Sequence, residues 1–355
     1  MLVFFIGLAL FSCHQEKAKT VVHIVENQFF INGEPTYKGR YWKGNKIEGL
    51  LFNSRMVQGI FDDLNPGTRD RFAYPDTQVW DADRNTDEFV AHMQEWYDHG
   101  LLAFTLNLQG GSPLGYGNKA WVNSAFDGKG DLRPAYMDRL QRILDKADAL
   151  QMVVILGYFY FGQDQYLEDE QAIIRATDNV THWILEKGYR NILVEINNEC
   201  NVRYDHEILQ PDRVHELIQR VQAMKKVGYS LLVGTSYGGG YLPKSNVVNA
   251  ADFVLLHGNG IDDPQKITQL VRNTRRVTGY RSQPILFNED DHFNFESDTC
   301  NLVKAIESYA SWGYFDYRME GEGFDAGYQS VPVDWGINSD RKKAFFGKLK
   351  EISLE

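Results

Sequence analysis

Asn191-Ile192-Leu193-Val194-Glu195-Ile196, running on into Asn197-Asn198-Glu199, decides how this chain folds. Its side chains are apolar on both faces of an extended strand and it stops abruptly at polar residues, the pattern of a strand buried on two sides in a parallel sheet. Some fifteen residues later Val214, Leu217, Ile218 and Val221 fall on one face of a helix. The same alternation recurs along the chain. Strands are expected at Met56–Phe61, Leu101–Asn107, Met152–Tyr158, Asn191–Ile196, Ser230–Thr235, Asp252–His257, Pro284–Asn288 and Trp312–Tyr317. Between them, Tyr136, Leu140, Ile143, Leu144 and Ala147 share a helical face, and a last helix follows Ser339 with Phe345, Phe346 and Leu349 inward. Asn85-x-x-Glu88 resembles a capping box that opens the helix carrying Phe89, Val90, Met93 and Tyr97. Eight βα repeats predict an α/β fold, a (β/α)8 TIM barrel closed on itself. An open doubly wound sheet is the alternative, but no Gly-x-Gly-x-x-Gly follows the first strand.

Upstream, Val21–Ile31 holds two β-rich runs around Glu26-Asn27-Gln28, with a turn signal at Asn32-Gly33, and reads as a short N-terminal β-hairpin. The apolar stretch Leu2–Ser12 is too short to span a hydrocarbon layer of ~30 Å. It suits the core of a signal peptide. Leu10-Phe11-Ser12-Cys13 and the polar His14-Gln15-Glu16-Lys17 after it look like a bacterial lipobox with its tether, which implies lipidation at Cys13. The expected organisation is 1–13 signal peptide and lipobox, 14–34 tether and hairpin, and 35–355 a single barrel domain. That makes the protein an exported lipoprotein, touching the membrane only through its N-terminal anchor.

The 355 residues carry 37 basic and 48 acidic side chains, a net charge of −11 that disfavours nucleic acid as a partner. Three cysteines cannot make a disulfide framework, although Cys200 and Cys300 could pair in an oxidising compartment. The 47 aromatic rings exceed what a core of this size needs and point to a ring-lined cleft.

In a barrel every strand delivers its C-terminal end to one bowl, so polar residues there are the functional candidates. They are Asp62 and Asp63; Gln109, Tyr160 and Gln163; Asn197, Asn198 and Glu199; Ser236 and Tyr237; His257 and Asn259; Glu289, Asp290 and Asp291; and Asp316 and Arg318. Two of them are glutamates on different walls, Glu199 after the fourth strand and Glu289 at the end of the seventh, 90 residues apart. Two facing carboxylates are what glycosidic cleavage requires: one protonates the departing oxygen, the other meets the developing oxocarbenium. Neither needs a cofactor or a metal.

At these positions the sequence resembles the clan A glycoside hydrolases, the superfamily that includes glycoside hydrolase family 5. The resemblance implies Glu199 as acid/base, Glu289 as nucleophile and retention of anomeric configuration. It further implies that Asn198 binds a sugar hydroxyl, that His257 lies near the nucleophile and that Trp312 is a platform for the reacting sugar. Asn259, Gln109, Tyr160 and Tyr237 complete the expected carbohydrate-binding set. Strand six ends His257-Gly258-Asn259 where family 5 commonly has His-x-Tyr, so the usual tyrosine contact to the nucleophile must come from elsewhere or be absent.

Other readings exist for each motif. Glu199 would also suit a helix N-terminus, Glu289 a solvated acidic loop, and Glu195 a structural partner for a buried arginine. Glu289-Asp290-Asp291-His292 could ligate calcium, but the His-x-His that metal-dependent barrel hydrolases carry on strand one is missing. An exported retaining glycoside hydrolase is therefore expected. The alternative is a non-catalytic glycan-binding lipoprotein on the same scaffold, and a weaker third possibility is a metal-dependent hydrolase of esters or amides.

Overall fold

The structure, a computed structural model, describes residues 19–116 and 120–355. Cys13 and the lipobox lie outside the described residues. The barrel strands are β1 (Asn53–Arg55), β2 (Ala103–Asn107), β3 (Val153–Tyr160), β4 (Ile192–Asn198), β5 (Leu232–Gly234), β6 (Val254–His257), β7 (Ile285–Glu289) and β8 (Gly313–Tyr314). A continuous parallel ladder runs β5-β4-β3-β2-β1-β8, and β6 pairs with β7. Two seams close the ring. At one, the Phe287 N–H donates to Ser311 O (2.9 Å) and the Ser311 N–H to Ile285 O (3.0 Å). At the other, the Asp252 N–H donates to Val233 O (2.9 Å) while the Asp252 carboxylate accepts the Val233 N–H at 2.8 Å, so a side chain completes the ladder. The result is the (β/α)8 barrel, with α1 (Ala82–Asp98), α2 (Pro134–Leu150), α3 (Glu170–Lys187), α4 (Val214–Ala223), α5 (Ser245–Ala250), α6 (Pro264–Thr274), α7 (Asn301–Glu307) and α8 (Asp340–Ser353) around it.

Local chemistry sets the helix ends. Asp169 caps α3 by accepting the Ala172 N–H, and Gly188, left-handed at φ +76°, ends it. The expected box at Asn85 and Glu88 is not the start of α1. Asp81 caps that helix through the Asp83 and Arg84 N–H groups. Asn85 is instead a buried tie inside the helix, bonded to Gln58 O and the Trp335 indole N–H.

Strand one also differs from expectation. Met56–Phe61 was the apolar run, but Val57–Ile60 form a 3-10 turn pressed under Phe89, Leu106 and Ile143, and β1 is the polar triplet before it. A short buried run reads alike as strand or turn when both faces are covered. Here the strand's polar side chains have buried partners, Asn53 on Phe287 O (3.0 Å) and Arg55 on Glu289 (2.9 Å), so the strand is the segment that looks least like one.

The N-terminal hairpin, Val22–Val25 with Gln28–Ile31, gains a third short strand at Glu34–Pro35. It docks on the barrel base, where the Val22 N–H donates to Arg190 O at 2.9 Å. Val22 and Phe29 join Leu51, Ala103, Val153, Ile155, Leu193, Phe253, Leu255 and Leu286 in one apolar cluster, and Phe29 meets the Phe253 ring edge-on at 6.4 Å. Phe29 thus plugs the lower end of the barrel. Phe29→Ala would leave a void there and is expected to cost about 3–5 kcal/mol of unfolding free energy in a denaturant titration. A cost below about 1 kcal/mol would show that the base closes without it.

Candidate active site

Glu199 follows β4 at φ +53°, a left-handed conformation that costs a glutamate on the order of 1–3 kcal/mol. Its neighbours hold it there. The Glu199 N–H donates to Ser236 Oγ (2.9 Å), the Cys200 N–H to Ser236 O (2.9 Å), and the Tyr204 hydroxyl to Asn198 O (2.5 Å). Thr235 Oγ1 fixes Asn197 through its carbonyl (2.8 Å) and amide oxygen (2.7 Å). Asn198 is left with a buried amide oxygen that has no protein partner.

On the facing wall a register shift at the end of β6 pairs His257 with Glu289 instead of Asn288. Such a shift re-aims side chains at a strand end. Glu289 is 5 % exposed and receives three groups: Arg55 Nε at 2.9 Å on Oε2, the Asn259 amide on Oε1, and His257 Nδ1 at 3.7 Å. His257 Nδ1 also lies 3.0 Å from Glu199 Oε1. One carboxylate oxygen of Glu199, one of Glu289 and a ring nitrogen of His257 all fall within 4.8 Å of one another.

The electrostatics follow from burial and from this contact. Burial pushes the Glu289 carboxyl up, against the opposing pull of Arg55 and His257. Burial acts upward on Glu199 too, but the hydrogen bond and charge of His257 outweigh it and bring that carboxyl below its ordinary value. His257 is correspondingly raised, the nearby carboxylates overcoming its burial. The charged form of the ring is thus favoured by the two glutamates beside it.

Of the residues expected here, Glu199, Glu289, Asn198, His257 and Asn259 converge. Asn259 supplies the contact to Glu289 for which no tyrosine was found. Tyr160 joins them: its hydroxyl bonds Ser112 Oγ at 2.8 Å, and it feels the charges of Arg55, Glu289 and Glu199.

Three others do not converge. Trp312 has no exposed surface. Its indole N–H donates to Asp290 Oδ2 (2.9 Å) and its ring packs between Phe295 and Phe345 of α8, outside the barrel, so it is no sugar platform. Gln109 spends its amide on Ser124 Oγ (3.2 Å) and Gln163 O (3.4 Å), tying a loop together. Tyr237 is buried with its hydroxyl on the Lys244 N–H (3.2 Å) and the Cys200 thiol. Cys200 and Cys300 are both free and buried, so the pairing left open above is not made. Glu195 lies in the barrel interior with an amide partner, Asn288 Nδ2 at 3.2 Å, and no arginine in contact.

Arg55 and Ser112 were not read from sequence, whereas Ser236 stood among the strand-end candidates. The signal for Arg55 was the polar triplet Asn53-Ser54-Arg55 next to an apolar run. A buried glutamate demands a cation, but the demand came from Glu289 and not from Glu195.

Two clusters of potential metal donors exist among the described residues, Glu199–His257–Glu289 and Asp290–Asp291–His292. In the first, Arg55 already sets a fixed positive charge against Glu289. In the second, Asp290 is committed to Trp312, Asn301 and His292, and His292 is raised to about 9 chiefly by its hydrogen bond to Asp290.

Fold and site together define a (β/α)8 barrel protein with two facing glutamates. Among solved structures the chain is similar to the glycoside hydrolase family 5 mannosidase of Rhizomucor miehei (TM-score 0.54, 13% identity, 94% of this chain and 97% of that one). It is also similar to a family 5 broad-specificity endoglucanase of Clostridium longisporum (0.51, 13%, 85% and 97%). A provisionally named glycoside hydrolase of Bacteroides vulgatus ATCC 8482 gives a TM-score of 0.57 at 11% identity over 92% of this chain, which spans only 59% of that longer one. No protein-family model and no curated protein sequence matches. At 11–13% identity the likeness establishes the shared barrel fold.

Proposed function

We propose that the protein is a retaining glycoside hydrolase, similar in mechanism to clan A and family 5. The observation that carries this reading is the approach of Glu199 and Glu289 to within 4.8 Å at the ends of β4 and β7. Retaining enzymes keep their carboxyls ~5–5.5 Å apart, whereas inverting ones need ~6.5–9.5 Å to admit water. Glu289 attacks the anomeric carbon as the glycosidic C–O bond breaks, and Glu199 gives its proton to the departing oxygen. Glu199 then takes a proton from water, which displaces Glu289 and releases the sugar with its configuration kept. The proton on His257, 3.0 Å from Glu199, is placed to charge that acid. The fold neighbours include an endoglucanase and a mannosidase, so gluco- and manno-configured glycans are the first substrates to try.

A panel of 4-nitrophenyl glycosides, with product anomers followed by NMR, tests the reading. Net retention supports it and inversion overturns it. Glycan binding without any hydrolysis would favour the non-catalytic alternative. Glu199→Gln is expected to lower kcat/KM by about 10²–10⁴-fold on unactivated substrates while sparing kcat/KM on activated aryl glycosides, whose leaving groups need little protonation, although kcat falls there too because water loses its base.

The pH profile has a definite sign. Glu289 must be ionised to attack, and its carboxyl is raised, so the acid limb of kcat/KM should lie above the ordinary glutamate value of 4.5. The His257–Glu199 pair must hold a proton, and His257 is raised, so the alkaline limb should lie above 6.5. Either limb below its ordinary value counts against these assignments.

Export and lipid anchoring through Cys13 belong to the same proposal, on the strength of Leu10-Phe11-Ser12-Cys13. Radiolabelled palmitate should enter the wild-type chain in a bacterial host and not Cys13→Ser.

A further inference from the structure

We propose that this site, read as a retaining glycosidase, acts at the non-reducing ends of β-1,4-linked chains and releases single sugars, because a bridge of Tyr116 and Asp291 shuts the bowl beyond the reacting sugar.

In the loop after β2, residues 111–116 reach across the bowl. Gly111 O accepts from Gln58 Nε2 (2.5 Å) above the end of β1 and also from the Gln329 amide, and Pro113 O accepts the Val331 N–H (2.8 Å), both from the segment after β8. At its far end the Tyr116 hydroxyl donates to Asp291 Oδ2 (2.7 Å), just past β7, and Asp291 Oδ1 accepts the Gly260 N–H (3.2 Å) from the loop after β6. The Tyr116 ring is braced edge-on by Phe315 (5.5 Å) and Tyr317 (5.0 Å). This chain of contacts roofs the sector over β1 and β8, and Arg55 beneath it is 1 % exposed.

The opposite flank is hollowed: a cavity of about 380 Å³ lies among the loops after β2, β3 and β4, lined by Trp121, Phe161, Gln163, Tyr166, Arg203 and Asp205. Asp164 locks its walls by accepting the Asp205 N–H at 2.7 Å.

Sugar geometry turns this asymmetry into a mode of action. The bond to be cleaved points at the proton donor, Glu199 just after β4, so the leaving chain departs on that side. In an equatorially 1,4-linked sugar O4 lies at the other end of the ring. It therefore points towards β8, which faces β4 across an eight-stranded ring. There it meets the roofed sector, where a further sugar has no room.

The test uses cellohexaose and mannohexaose carrying 2-aminobenzoate at the reducing end, each also with its non-reducing end blocked as a 4,6-O-benzylidene acetal. Wild type should release glucose or mannose stepwise from the open-ended hexaoses, leaving labelled products one sugar shorter each time, and should not cleave the blocked ones. Tyr116→Ala should cleave internally and accept blocked hexaoses at least tenfold faster than wild type, while 4-nitrophenyl glycoside turnover stays within a fewfold. Tyr116→Phe, which loses only the hydroxyl, should move the same way by less. Internal cleavage by wild type, cleavage of blocked hexaoses, or aryl glycoside turnover without attack on either hexaose overturns the inference and leaves the glycosidase reading standing. No hydrolysis of any aryl glycoside overturns both.

Discussion

Glu289→Ala is expected to lower kcat by on the order of 10⁴-fold or more on every substrate, activated or not, because in the proposed mechanism it removes the atom that bonds to the anomeric carbon. The loss should respond to azide. The truncation leaves a space beside Arg55 Nε, which in the intact protein lies 2.9 Å from the Glu289 carboxylate. A small anion entering that space replaces the missing charge and can attack C1 from the same face, giving a glycosyl azide of inverted configuration. Two readouts belong together: turnover of an aryl glycoside against azide concentration, and the thermal midpoint over the same range. Removing one member of a buried ion pair costs about 3–5 kcal/mol, so the variant should melt early and azide should restore part of the loss. Equal turnover by variant and wild type would remove Glu289 from the chemistry.

The second large effect concerns Arg55. Its side chain is 1 % exposed, and its charge is the strongest influence holding the Glu289 carboxyl down against burial. In Arg55→Met that opposition is gone, while burial and the negative Glu199 still push the carboxyl up. More of Glu289 is then protonated at a given pH, even with His257 and Asn259 in place, and that fraction cannot attack. Turnover at pH 7 should fall by roughly 10²–10³-fold, the scale of losing one fixed charge in a dry site. A structural defect would lower activity at all pH values alike. The charge argument instead requires the acid limb to move to higher pH, so that part of the activity returns as pH rises. Arg55→Lys should recover little, because a compact, strongly hydrated ammonium shifts its pKa when buried, whereas the guanidinium stays charged. An unchanged acid limb in Arg55→Met would refute the assignment.

Much of this was legible in the sequence because barrels write their strands as short apolar runs before helices. Val153, Ile155 and Leu193 face the barrel interior while Val154, Ile192 and Val194 pack against the helices, and both sets are buried. Glu199 and Glu289 were visible for the complementary reason: a charge at the end of such a run has few structural uses. Where reading failed, burial had hidden the distinction. Met56–Phe61 looked more like a strand than Asn53–Arg55, since a 3-10 turn covered on all sides needs the same apolar side chains. Trp312 looked like a platform because it stands at the head of β8, but which way a ring turns there depends on Phe345, more than thirty residues on. The contact from Tyr116 to Asp291 spans 175 positions and has no local signature.

The three-stranded element at the base has a directional meaning. Thr20 bonds Asp148 through Oγ1 (2.8 Å to the carbonyl) at the end of α2, and Val22 bonds Arg190 just before β4. Both lie at the end of the barrel away from the bowl. The described chain therefore begins at the face opposite the bowl, so nothing from Lys19 to Val22 crosses the rim where Glu199 and Glu289 meet.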